Sequence, residues 1–132
     1  MKYAVDKKEK YTLVKLDEEK LDASVAPELK SELITMHAEG SRNMILDMSS
    51  VKYTDSSGLS ALLVGNRIFR EDGGMFVLAG LNDHVVKLVK ISQLDSVLTI
   101  SPTSEEAVDT VFLNQIETDL NSEASENENG KD

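Results

Sequence analysis

The chain has 132 residues, 40% of them apolar, the size and composition of one domain built around a single core. Lys and Arg total 14 against 24 Asp and Glu, and the net charge of −10 repels nucleic-acid phosphates and anionic lipid surfaces, so neither is expected as a direct partner. With no cysteine, disulfides, thiol nucleophiles and thiolate metal sites are excluded, and His37 and His84 lack the spacing of a zinc or catalytic pair. The opening MKYAVDKKEKY has no apolar signal core, and no run approaches the roughly 18 apolar residues of a membrane span. The expectation is a soluble, cytoplasmic protein that needs no cofactor and inserts in no membrane.

Tyr3 and Val5, then Tyr11-Thr-Leu-Val-Lys-Leu16, carry aromatic and β-branched residues on either side of the charged Asp6-Lys-Lys-Glu-Lys10. That pattern predicts an antiparallel hairpin. From Ser24 to Glu39 the apolar Val25, Leu29, Leu33 and Met36 recur at helical spacing, with Pro27 tolerated in the first turn and Gly40 as the stop. Asn43-Met-Ile-Leu-Asp-Met48 and Met75-Phe-Val-Leu-Ala79 are short apolar runs suited to strands buried on both faces, and a helix is predicted between them from Ser57 to Glu71. A helix over Asn82–Ile91, a strand over Val97–Ile100 and a helix opened by the capping box Thr103-Ser-Glu-Glu106 complete the body. The order β-β-α-β-α-β-α-β-α predicts an α/β domain with a mainly parallel sheet and right-handed crossovers. Beyond Glu117 the sequence is acidic with one large apolar residue, Leu120, so residues 1–117 are expected to form the domain and 118–132 a disordered acidic tail.

The informative segment is Ser49–Leu63, which joins the carboxyl end of the Met44–Met48 strand to the next helix, the edge of such sheets where ligands and partners bind. Asp55, Ser56 and Ser57 are all good helix caps, and a polar loop ending in a cap accounts for them as well as a functional site does. Asp22 precedes the Ser24–Glu39 helix and is open to the same two readings. After the motif, Leu59, Leu62 and Leu63 form one apolar stripe, and Ala61, Val64, Gly65 and Ile68 a second on the opposite side. The second stripe either packs on a neighbouring helix or forms a docking patch beside Ser57. Arg67 and Arg70 read as a solvated face rather than an anion site, and Met36, Met44, Met48 and Met75 as core. Gly73-Gly74 reads as a turn, since no phosphate-binding loop with its lysine is present.

Asp55-Ser-Ser-Gly-Leu59, following a short apolar strand and opening a helix, with Leu21-Asp22 leading into an earlier helix, resembles the STAS domain, and within it the bacterial anti-sigma-factor antagonists. The resemblance runs from about Tyr3 to Glu117. It implies a protein without enzymatic activity that binds an anti-sigma factor and so releases a sigma factor for transcription. It further implies that the second serine of the motif, Ser57, is phosphorylated by that anti-sigma factor acting as a serine kinase, with a phosphatase to reverse the modification. The partner-binding residues implied are Asp22, Asp55, Ser56, Ser57, Gly58, Ala61 and Val64, with the Asp22 carboxylate near the phosphoacceptor. Tyr53-Thr54 departs from the more apolar pair expected before the motif. An alternative within the fold is a scaffold or regulatory subunit of a larger signalling or transporter assembly. A small hydrolase or phosphotransferase using Asp22, Asp55 and a serine would lack a general base, as Lys52 is the only Lys or His of the motif segment.

Overall fold

A computed structural model describes the backbone of residues 1–129 and the side chains of residues 1–123. The predicted hairpin is present: β1 (Tyr3–Lys7) pairs antiparallel with β2 (Thr12–Leu16), in a register that sets Val5 opposite Val14. Three further strands, β4 (Met44–Asp47), β6 (Phe76–Ala79) and β7 (Thr99–Ser101), add in parallel to give the order β1-β2-β4-β6-β7. Each parallel neighbour is reached through a helix: α1 (Ala26–Ala38), α2 (Ser56–Glu71) and α3 (Asp83–Ile91) in turn. This is the α/β architecture expected from the alternation of apolar runs with helical periodicity.

Every residue of β6 and the first three of β4 are buried, because helices cover both faces of the sheet. Period-two alternation then divides them. Met44, Leu46, Phe76 and Leu78 join Leu29 and Leu33 of α1, Leu62 and Phe69 of α2, and Val85 and Val89 of α3 in the larger core. Ile45, Val77 and Ala79 point the other way, onto Ala107 and Val111 of α4 (Ser104–Asn129). The start of α4 is pinned to the sheet by Asp47, whose Oδ2 accepts from Ser104 Oγ at 2.8 Å while Oδ1 accepts from Ser49 N at 2.9 Å. Burial pushes the Asp47 carboxyl up, but the hydrogen bonds from Ser49 and Ser104 outweigh it and hold the group below its ordinary value.

Two short strands escape sequence reading. β3 (Lys20–Leu21) and β5 (Tyr53–Thr54) pair in parallel, Lys20 with Tyr53 and Leu21 with Thr54. Each is two residues long and has no periodicity to read; each forms because the other satisfies its backbone groups. The first helix also begins later than expected. It opens at Ala26 with Pro27 in its first turn and ends before Gly40, which sits at φ +110° where a side chain would be strained.

The larger difference is at the carboxyl end. Thr103 caps α4 as predicted, accepting from Glu106 N at 3.1 Å, but the helix runs on through Glu117 to Asn129. The composition of this segment shows that it cannot bury apolar surface. It does not forbid a helix already nucleated upstream, because the stretch from Thr118 to Asn129 contains neither Pro nor Gly and extension costs far less than nucleation. Residues 130–132 of the expected tail lie outside the described residues. Asp119 to Glu123 are all exposed, so truncation after Glu117 is expected to leave the thermal midpoint of the domain within a few degrees of the full chain. A calorimetric scan showing a much larger drop would mean that the distal helix docks on the body.

Candidate partner-binding site at the start of α2

The candidate site is assembled where the two-residue sheet β3/β5 meets the first turn of α2. Thr54 is buried, and its hydroxyl donates to the Leu21 carbonyl at 3.0 Å. The Asp55 amide donates to the same carbonyl at 3.3 Å. Leu21 is thereby fixed alongside Thr54 and Asp55. From the opposite side, Asn82, which caps α3, donates through Nδ2 to the Val51 carbonyl at 3.2 Å and holds the preceding loop.

Of the three candidate caps, Asp55 takes the role: its extended backbone precedes the helix, and Oδ1 accepts from Gly58 N at 3.1 Å. Neither the Ser56 nor the Ser57 hydroxyl makes a hydrogen bond within the described residues. Ser56 is exposed and Ser57 half-buried, and both line an open groove of about 390 Å³ with Ala23, Ala26, Lys30 and Ser60. Lys30 was not anticipated as a site residue. It lines the same groove as the serines because α1 and α2 lie side by side, a juxtaposition that spacing within either helix does not reveal.

Asp22 does not cap α1, as one sequence reading had it, since that helix starts after Val25 with no side-chain cap. Its Oδ1 accepts instead from Ser24 N at 2.9 Å and Ser24 Oγ at 2.5 Å, a local turn that sets the approach to the helix. The Ser24 hydroxyl, and after it the Ser24 amide, hold the Asp22 carboxyl below its ordinary value, so it is an anion at neutral pH. Asp22 makes no hydrogen bond to Ser57 within the described residues.

Gly58 and Ala61, both expected at the partner surface, are buried. A Cβ at position 58 would overlap the Thr54 hydroxyl and the Leu21 carbonyl oxygen and come within 2.8 Å of Leu21 Cγ. Gly58 therefore lets α2 lie directly on β3 and β5. Ala61 is fully buried in the larger core, and at Gly65 a Cβ would come within 2.8 Å of the Phe76 ring and 2.9 Å of Leu33. The small residues of the second stripe thus serve close packing, and Val64 and Ile68 are left half-exposed at its margin. Val64 sits in a shallow groove of about 730 Å³ with Ser60, Leu63, Asn66, Arg67 and Arg70. Arg67 and Arg70 are exposed, as a solvated face requires.

Among the described residues no group of three or more His, Asp or Glu is arranged to hold a metal ion, and no helix is long and apolar enough to cross a membrane. What the site presents is two serine hydroxyls at the head of a helix that Asp55 caps, on an α/β frame. A STAS domain family model matches residues 2–107, and the chain belongs to that family.

Within it, the chain is 27% identical over 88 residues to the anti-sigma-B factor antagonist of Bacillus subtilis, covering 67% of this chain and 80% of that protein. The fold superposes on a putative anti-sigma factor antagonist from Thermotoga maritima with a TM-score of 0.74 at 23% identity, over 83% of this chain and 93% of that one. It also superposes on the phosphorylated form of the Bacillus cell fate determinant SpoIIAA with a TM-score of 0.65 at 20% identity, over 83% and 99% of the two chains.

Proposed function

We infer that the protein is an anti-sigma-factor antagonist, a binding protein that sequesters an anti-sigma factor and is switched off by phosphorylation of Ser57. The observation that carries this reading is the division of labour in the first turn of α2. Asp55 does the capping, which leaves the hydroxyls of Ser56 and Ser57 uncommitted on the surface. A serine at this position of the motif is the phosphoacceptor in the family the chain resembles, and a curated relative bears the antagonist name.

The physical chemistry of the position suits such a switch. In the transfer, the Ser57 hydroxyl oxygen attacks the γ-phosphorus of ATP held by the partner kinase, ADP leaves, and the hydroxyl proton passes to a base of that kinase. The product phosphate lies beside the amide hydrogens of the first helical turn and the positive end of the helix dipole, which stabilise an anion there by roughly 0.3–1 kcal/mol. Lys30, lining the same groove, adds a positive charge nearby. The domain therefore tolerates the modification. The interface does not: about 1.5 to 2 added negative charges on a surface that already carries Asp22 and Asp55 create like-charge repulsion and bulk against a partner shaped to the neutral serine. Asp22, Asp55, Ser56, Ser57 and the exposed flank of Val64 make up the partner-facing surface, with Gly58 and Ala61 supporting it from beneath. A phosphatase restores the binding form.

Reconstituted transcription tests the role. A sigma factor inhibited by its anti-sigma factor should regain activity when the unphosphorylated chain is added in stoichiometric amount, and no recovery at saturating chain would contradict the assignment. Because neither serine hydroxyl is hydrogen-bonded to a base among the described residues, the purified protein is expected to hydrolyse generic ester and phosphate substrates no faster than buffer. Turnover that disappears in Ser57→Ala would overturn that expectation.

A further inference from the structure

The middle of α4, from Phe112 to Leu120, carries an apolar face that the fold does not use. Ala107 and Val111 are the last α4 side chains buried against the sheet; beyond them Leu113 is 63%, Ile116 55% and Leu120 57% exposed. At 3.6 residues per turn, Phe112, Leu113, Ile116 and Leu120 fall within an arc of about 100°, directed away from the side on which Ala107 and Val111 meet the sheet. The sheet-facing side of this stretch is polar instead, with Asn114, Gln115 and Thr118. Phe112 is the exception to full exposure, with its ring set edge-on against Tyr11 at 6.2 Å, so the stripe is anchored to the body at its near end.

Acids surround the stripe. Asp109 precedes it, Glu117 and Asp119 flank it on either side, Glu123 follows it, and no lysine or arginine occurs between Lys90 and Lys131. A second copy is a poor occupant for two reasons. It would bring acid against acid, and the stripe spans little more than two turns, whereas a self-standing helix pair needs three to four heptads. The spacing of Leu113, Ile116 and Leu120, at i, i+3 and i+7, is that of a helix seated in a groove.

We propose that the middle of α4, from Phe112 to Leu120, is a docking helix for a second protein partner, one that offers an apolar groove edged by lysine and arginine. The surface is separate from the α2 site and does not depend on its assignment. An acidic rim accelerates encounter with such a groove and makes binding fall as salt rises, while the three anchors set the register.

The test uses the full chain and two synthetic helical hairpins, each presenting a leucine-lined groove, one edged with Lys and the other with Glu. Fluorescence anisotropy should show binding at least tenfold tighter to the Lys-edged hairpin, weakening as salt is raised, with sedimentation showing the chain itself to be monomeric. The double variant Leu113→Ser/Ile116→Ser should lose that binding while keeping its thermal midpoint. Glu117→Lys/Asp119→Lys should shift preference toward the Glu-edged hairpin. Equal affinity for both hairpins, no binding to either, or dimerisation abolished by the serine substitutions would each overturn the proposal.

Discussion

Ser57→Asp is expected to fold as the parent does and to bind the anti-sigma factor at least tenfold more weakly. The position explains both halves of that result. An added carboxylate in the first turn of α2 sits where helix termini favour anions, so the thermal midpoint should move by no more than a few degrees. The same carboxylate adds a negative charge two residues from the capping Asp55. About 1.4 kcal/mol of mismatch is enough for a tenfold loss, and desolvating an extra anion against a surface built for a hydroxyl costs at least that. Ser57→Ala removes only a hydroxyl that makes no hydrogen bond among the described residues, and should bind within about twofold of the parent by calorimetric titration. Equal affinities for Ser57→Asp and Ser57→Ala would remove the charge-based switch from the account, allowing for the smaller charge of Asp than of phosphoserine.

Gly58→Ala is expected to be among the most damaging single-methyl additions in the molecule. The new carbon has nowhere to go, since it meets the Leu21 backbone carbonyl and the buried Thr54 hydroxyl, neither of which can swing aside. Overpacking of this kind costs about 1–3 kcal/mol, and direct overlap with both oxygens sets it at the upper end, so it outweighs the roughly 1 kcal/mol that the better helix propensity of alanine returns. Displacement separates β3 from α2 and shifts the serines, so binding should fall together with stability. Thermal denaturation gives the first quantity and titration with the anti-sigma factor the second. Gly40→Ala is the control: it also violates a glycine, at φ +110°, but a Cβ there meets nothing within 4 Å, and its effect should be confined to a modest loss of stability with binding intact.

The frame of the molecule was legible in the sequence because its central strands are buried on both faces. Met44-Ile-Leu and Phe76-Val-Leu-Ala have no polar alternation to confuse them with edge strands, and the helices between them carry a clear periodicity. The motif loop was legible as a location and, through its resemblance, as a role. Its geometry was not. Asp22 looks like a cap because it precedes a helix, yet Asp22-Ala-Ser24 closes its own turn and the helix starts at Ala26, three residues later than a cap at Asp22 would place it. Spacing separated the two stripes of α2 but could not say which was covered, because that depends on how near α1 approaches. Gly65, placed against Leu33 and Phe76, shows that the approach is close and that Ala61 belongs beneath the surface. At the carboxyl end, composition measures what the segment can bury and not what it can form, so it predicts disorder where α4 continues to Asn129.

The central claim is that Ser57, and not its neighbour, is the switch, and the direct measurement is phosphosite mapping by mass spectrometry after incubation with the cognate anti-sigma factor and ATP. Ser56 is the more exposed of the two hydroxyls, so accessibility alone would favour it. The account predicts a single phosphate on Ser57 in the wild-type chain, retained in Ser56→Ala and absent from Ser57→Ala. A phosphate that persists in Ser57→Ala and vanishes in Ser56→Ala would contradict it.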